Sequence, residues 1–325
     1  MNKDSKIFIA GSETLIGAAI QTGLQRHGYS NIIEPRSAPE LTEAEQVDRF
    51  FATTAPEYVF MAAGESGGIS ANQRFPARLM LDNLLVESNV IRAAFDHGTT
   101  KLLYLASSCI YPKDCPQPMR ESAVLTGALE PTNEAYAVAK IAGMKLCQAY
   151  NQQYGADAKT KFITCIPANV FGPGDDFDLE ESHVIPSLIR RMHEAKLSGA
   201  PQVEIWGSGK PRREFIFSQD LADACITVMN DYDESEPINV GVGSDLSIGE
   251  LARQIQEVVG YAGELTFNTS RPDGIPAKLL DSSQLMARGW RPTVSLPQAL
   301  KQTYDWYTSE GPGAEPSPKP VTAQS

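Results

Sequence analysis

Short unbroken apolar runs alternate along the chain with stretches whose apolar residues recur every three or four positions. Lys6 to Ala10 is the first such run, and it stops at Gly11. A helical period follows from about Leu15 to His27. Asn31-Ile32-Ile33, Tyr58 to Ala63, Lys101 to Ala106 and Phe162 to Ile166 read as further strands. Helical patterns fall between them, at about 43–52, 76–97 and 134–154. Continuous apolar strands alternating with amphipathic helices mark a parallel sheet covered on both faces. Residues 1–170 therefore read as an α/β nucleotide-binding domain of the doubly wound (Rossmann) type, with segments at about 215–245 returning to it.

After about residue 170 the turns become denser, as in Gly172-Pro173-Gly174, Gly207-Ser208-Gly209 and Arg271-Pro272-Asp273-Gly274. Shorter helices are predicted at about 184–196, 218–230 and 247–259. This stretch, 171–310, reads as a smaller C-terminal substrate-binding lobe. Residues 311–325 contain proline without periodicity and read as a disordered tail.

The 325 residues fit about two domains at roughly 150 residues each. A formal charge of −12 excludes an extended nucleic-acid or anionic-membrane surface, though not a local basic pocket. No apolar run approaches the roughly 18 residues of a membrane span, and the first run is too short for a signal peptide. A cytoplasmic protein is the expectation. The five cysteines are spread out with no CxxC pair, and the four histidines show no HxxxH or HExxH spacing. Neither a disulfide framework nor a metal site is predicted.

Three motifs carry candidate chemistry. Gly11 and Gly17 bracket a loop between a strand and a helix, where free N–H groups and the helix dipole favour a pyrophosphate. Taken alone, the loop also fits a plain βα turn. Tyr136 and Lys140 stand at i, i+4 on one helix face, where a nearby ammonium is expected to lower the tyrosine pKa and fit it for proton transfer at a carbonyl. Ser107 follows a strand at the edge where ligands bind in such sheets, and Cys109 lies on its side if the strand persists. Cys109 and His183 matter only as a pair, two proton-transfer groups flanking an enolisable carbon; alone, the cysteine reads more readily as an inert core residue and the histidine as a satisfied polar one. Arg190, Arg191, Arg212, Arg213 and Lys278 suggest either a diphosphate clamp or solvated charge. Trp206 suits stacking on a base or sugar as well as it suits a core.

The chain resembles the extended short-chain dehydrogenase/reductases, and within them the GDP-L-fucose synthase family, from about residue 6 to about 308. The resemblance rests on Ala71-Asn72, Glu87-Ser88-Asn89, Ser107 to Lys113, Leu129 to Glu134, Tyr136 to Gly143, Ser182 to Pro186, Trp206 to Gly209, Arg213 to Phe215, Pro272 to Gly274 and Lys278 to Asp281. It implies epimerisation of a GDP-4-keto-6-deoxy-mannose at carbons 3 and 5, then reduction at carbon 4. Cys109 matches the family's base and His183 its acid. Ser107 and Tyr136 match the groups on the carbonyl oxygen, and Lys140 the residue that tunes Tyr136 and holds the nicotinamide ribose.

Gly11, Thr14, Leu15, Ile16, Gly17, Arg36, Ala63, Lys140 and His183 match cofactor positions. Ser108, Asn169, Arg191, Trp206, Arg213 and Lys278 match substrate positions. The resemblance favours NADP(H), and implies a homodimer through the helices at 76–97 and 134–154. Three departures stand out. Thr14 replaces a glycine where the diphosphate approaches, while Glu13 and Glu65 replace cationic residues near the cofactor path. They predict an altered cofactor site with weakened NADP affinity and leave NAD(H) as an alternative. Epimerisation without reduction, a related GDP-4-keto-heptose or dideoxy sugar as substrate, and a non-catalytic nucleotide-binding homologue are the competing readings.

Overall fold

A computed structural model describes residues 1–155, 159–271 and 273–314. Its first half runs β1 (Ile7–Ala10), α1 (Leu15–Arg26), α2 (Ala44–Thr54), β2 (Tyr58–Met61), α3 (Ile69–Arg74), α4 (Pro76–Asp96), β3 (Lys101–Leu105), α5 (Glu134–Tyr154) and β4 (Lys161–Pro167). The four strands pair in parallel in the order β1-β2-β3-β4. All their residues except Tyr58 and Lys161 are buried, which explains why these runs lack hydrophobic alternation.

The predicted strand at Asn31-Ile32-Ile33 is reduced to one parallel bridge, Ile7 to Ile32, at the free edge of β1. Pro35, which has no N–H to donate, starts a 3-10 turn there and ends the pairing. The chain thus visits one side of β1 and then crosses to β2 on the other. The carboxyl end of β1 is the switch point where a doubly wound sheet opens a crevice.

The second half runs β5 (Asn169–Phe171), α6 (Val184–Ser198), β6 (Gln202–Trp206), β7 (Arg212–Arg213), β8 (Phe215–Phe217), α7 (Ser218–Asp231), β9 (Ile238–Val240), β10 (Leu246–Ser247), α8 (Ile248–Val259), β11 (Glu264–Asn268), β12 (Ala277–Lys278), α9 (Ser283–Ala287) and α10 (Leu296–Ser309). β9 returns to the main sheet as its fifth parallel strand, beside β4, and α7 packs on α1.

Two cores result. One surrounds the five-stranded sheet and includes Ile9, Phe60, Leu103, Ile163 and Ile238. The other, with Phe171, Ile189, Phe217, Leu251 and Leu300, joins α6, α8 and α10 to β5 and β8. α10 escapes the sequence patterns. Residues 311–314, expected to be part of a disordered tail, form a turn closing α10, with Gly311 N–H bonded to the Trp306 carbonyl. Its glycines lie against the rings of Trp306 and Tyr307, where a Cβ would not fit. The rest of the expected tail, 315–325, lies outside the described residues.

Candidate active site

The glycine loop closes tightly over the end of β1. Gly11 has φ +82°, and a Cβ on it would lie 2.6 Å from the Ala63 Cα. A Cβ on Gly17 would fall 1.9 Å from the Gly11 carbonyl oxygen. Both positions therefore demand glycine. Thr14 does not obstruct the loop as expected. Its hydroxyl donates to the Gly11 carbonyl (2.8 Å) and accepts from Gly17 N–H (3.0 Å), so the side chain folds back as the cap of α1. Among the described residues, the N–H groups of Leu15 and Ile16 have no protein partner. They face outward from a helix N-terminus suited to a phosphate.

Glu65 is also not the free negative charge expected, since Arg78 of α4 pairs with it at 2.8 Å. Glu13 and Arg36 are exposed and make no ion pair among the described residues.

Strand β3 does not persist to Cys109. It ends at Leu105, and residues 108–110 form a 3-10 turn capped by Ser107, whose hydroxyl accepts from Cys109 N–H. The turn places Cys109 beside Ser107, and it buries Ser108. Tyr136, in the first turn of α5, is buried near the Ser107 hydroxyl. Burial, then Cys109, raises the Tyr136 pKa, with a smaller push from Glu87, while the Ser107 hydroxyl opposes them. The expected lowering by Lys140 is absent. Lys140 is buried and its ammonium is held by the Glu87 carboxylate at 3.0 Å.

The Cys109 sulfur faces two donors, Asn133 Nδ2 at 3.1 Å and Lys278 Nζ at 3.4 Å. Lys278, expected on the nucleotide, is thus set against the thiol by β12. His183 precedes α6 in a loop docked on the segment after β2, where Gly68 N–H donates to the Glu181 carbonyl. Its ring remains open to solvent but is surrounded by protein. That setting, then Lys278, lowers its pKa, against an opposing pull from Asp176. Lys278 therefore acts on both Cys109 and His183.

Farther out, Arg191 and Arg271 set their guanidinium carbons 4.9 Å and 4.6 Å from the ring of Trp206, which is 40% exposed and not a core residue. Arg213 is held against the Ile275 carbonyl, and desolvation lowers its pKa. The Asn169 amide donates to the Glu214 carbonyl at 2.7 Å. Arg190 and Arg212 leave the candidate clamp, since they pair with Glu194 and with Asp245.

Four polar residues at this edge have no role assigned from sequence, although Glu87 and Asn133 lie in stretches that carry the resemblance: Asn83, Glu87, Asn133 and Arg271. The available signal was the i, i+4 pair of Asn83 and Glu87, both fully buried on α4. The Asn83 side-chain oxygen has no partner among the described residues, and it lies 2.3 Å from where a Cβ on Gly64 would sit. Lys140 Nζ is 3.7 Å from the same point. A tight glycine loop, free N–H groups at a helix N-terminus, and a buried unpartnered acceptor beside Lys140 fit a dinucleotide along this edge. No group of residues able to hold a metal occurs among the described residues.

The NAD dependent epimerase/dehydratase family matches residues 7–241. GDP-L-fucose synthase 1 of Arabidopsis thaliana is 50% identical over 307 residues, 94% of each chain. The GDP-L-fucose synthase of Escherichia coli K12 is 46% identical over 312 residues, 93% of this chain and 96% of its own. Among solved structures, a GDP-6-OMe-4-keto-L-xylo-heptose reductase from C. jejuni is similar with TM-score 0.88 and 36% identity, covering 95% of this chain and 99% of that one. A Naegleria fowleri GDP-L-fucose synthetase bound to NADP gives TM-score 0.86 at 27% identity, covering 94% and 95%. The chain belongs to the NAD dependent epimerase/dehydratase family and, within it, to the GDP-L-fucose synthases.

Proposed function

We propose that this enzyme converts GDP-4-keto-6-deoxy-mannose to GDP-L-fucose by 3,5-epimerisation and 4-keto reduction. The observation that carries the reading is the convergence of Ser107, Cys109, Tyr136 and Lys278 at the carboxyl edge of the sheet, with His183 within electrostatic reach of Lys278.

The 4-keto group acidifies the protons on carbons 3 and 5. In its thiolate form, whose negative sulfur Lys278 and Asn133 meet, Cys109 takes one of these protons and becomes a neutral thiol, the electron pair passing to the enolate oxygen. His183 returns a proton from the other face. Ser107 and Tyr136 donate to the ketone oxygen and stabilise the enolate. A nicotinamide dinucleotide, whose diphosphate the Gly11–Gly17 loop would hold, would supply the hydride. Tyr136 then gives its proton to the carbon-4 oxygen, and its raised pKa keeps that proton in place until then.

NADPH is the donor we favour, since structural neighbours bind NADP and Arg36 stands free for a 2′-phosphate. Arg191, Arg213 and Trp206 are assigned to the GDP part. We also infer a homodimer through α4 and α5, which leave Leu81, Leu85 and Val138 exposed. Leu81→Glu is expected to halve the mass found by analytical ultracentrifugation; an unchanged mass would remove those helices from the interface.

The function is tested by proton NMR in deuterated water with GDP-4-keto-6-deoxy-mannose. Deuterium is expected at carbons 3 and 5 without cofactor, and GDP-L-fucose after NADPH is added. Exchange without reduction would leave an epimerase only. No exchange would overturn the substrate.

A further inference from the structure

β9 is the outermost strand on its side of the main sheet, and its central residue is polar. Asn239 is fully buried between Ile238 and Val240, which are buried as well. Its Nδ2 donates to the Met119 carbonyl at 2.9 Å and to the Asp281 carbonyl at 3.2 Å. Its Oδ1 accepts from the Tyr111 hydroxyl at 2.7 Å. Carbonyl oxygens only accept, so the amide stands in one orientation and the buried Tyr111 must donate to it. Burying an amide costs free energy unless its bonds are made, and an apolar residue would fill the strand without them.

The three partners lie on the two segments that carry Cys109 and Lys278. Tyr111 follows the 3-10 turn that holds Cys109, and Asp281 follows β12, which holds Lys278. Met119 pairs with the second segment: its N–H donates to the Leu279 carbonyl at 2.7 Å, and its carbonyl accepts from Asp281 N–H at 2.8 Å. Those two bonds fasten only the far end of the loop that leaves Cys109. Tyr111, on Asn239, fastens the near end to the same point. Lys278 has need of such an anchor. β12 is two residues long and the lysine stem is flexible, yet Nζ stands 3.4 Å from the Cys109 sulfur. A contact between two separate segments persists only while their backbones keep their spacing.

We propose that Asn239 is a positioning residue for the Cys109–Lys278 pair: it ties the loop that carries the thiol to the strand that carries the ammonium, and so keeps Lys278 on the sulfur. The proposal rests on the proton-transfer role given above to Cys109. Asn239 itself touches neither side chain of the pair and acts through Tyr111, Met119 and Asp281.

The test reads Cys109 directly, in the full-length protein without sugar or cofactor. Iodoacetamide alkylates the thiolate, and an ammonium beside a thiol favours that form. Cys109 is partly exposed and the other four cysteines are buried, so peptide mass spectrometry follows its alkylation at fixed pH. Lys278→Met is expected to slow alkylation several-fold and sets the rate without the ammonium. Asn239→Asp, which puts an oxygen where the amide donates, is expected to slow it toward that rate. Added to Lys278→Met, Asn239→Asp is expected to change nothing further. A wild-type rate in folded Asn239→Asp overturns the proposal, and so does an equal slowing when Lys278 is already gone. An unchanged rate in Lys278→Met removes the contact itself, and the proposal with it.

Tyr111→Phe cuts only the bond to the Cys109 loop and gives the same comparison if Asn239→Asp does not fold. Slowing that requires Lys278 supports the proposal, and a wild-type rate overturns it. If neither variant folds, Asn239 serves the fold alone and the proposal falls. Alkylation needs no substrate, so wild-type protein that fails to turn over the keto sugar would overturn the assigned reaction and leave this test intact.

Discussion

Single side chains decide what the cleft holds, and two of them act differently from what their identity suggests. Thr14 and Glu65 both depart from the family pattern, yet one folds back as a helix cap and the other is matched by Arg78. Glu13 is the departure that stays exposed with no countercharge among the described residues. Glu13→Arg is therefore expected to tighten NADPH binding several-fold and to leave NADH binding nearly unchanged. Fluorescence titration of both cofactors checks this, and an equal change for both would detach Glu13 from the 2′-phosphate. The Tyr136–Lys140 spacing was legible in the sequence, but its electrostatics were not. The i, i+4 rule brings the ammonium to the tyrosine's face, whereas Glu87, about fifty positions away in sequence, takes that ammonium for itself. A pairwise rule along one helix carries no information about a carboxylate arriving from another.

At the scale of elements, strong periodicity was read correctly and short strands were not. The helices α1, α4 and α5 follow from their apolar spacing, and β1 to β4 from unbroken apolar runs. β5, β8 and β9 have three residues each, too few for any period to show. The extension of β3 to Cys109 failed because Ser107 accepts the N–H of a residue two places on, which starts a turn. Asn133, just before α5, and Lys278 of β12 meet Cys109 only through the tertiary fold. Capping is the exception, being local and testable locally. Thr14→Ala removes the cap of α1 and is expected to cost about 1 kcal/mol, and Thr14→Gly only a few tenths, in urea unfolding. A neutral Thr14→Ala would mean that the loop is held by its glycines alone.

Across the whole molecule the two cores are fastened by Glu214, a fully buried carboxylate between β7 and β8. It accepts N–H groups from Gly243 after β9 (2.7 Å) and from Leu280 after β12 (2.8 Å), and Gly241 leaves room for it. Burial raises its pKa to about 7. The folded protein then holds a proton that the unfolded chain releases near 4.5, so stability is greatest below about 4.5 and falls as pH rises to about 7. Asp175, also raised to about 7, adds to this slope. Glu214→Gln is expected to remove about 1–3 kcal/mol of that loss, measured by urea unfolding at pH 5 and pH 7.5. An unchanged slope would assign the titration elsewhere. The return of β9 and α7 to the first core has a consequence for ancestry. A cut at residue 170 strips the sheet of its fifth strand and α1 of its partner helix, so a 1–170 fragment is expected to stay soluble only as an unfolded chain, with no cooperative transition in circular dichroism. The substrate half cannot be traded between enzymes as a cassette. New sugar specificities on this scaffold must arise by exchanging residues within loops, one cleft wall at a time.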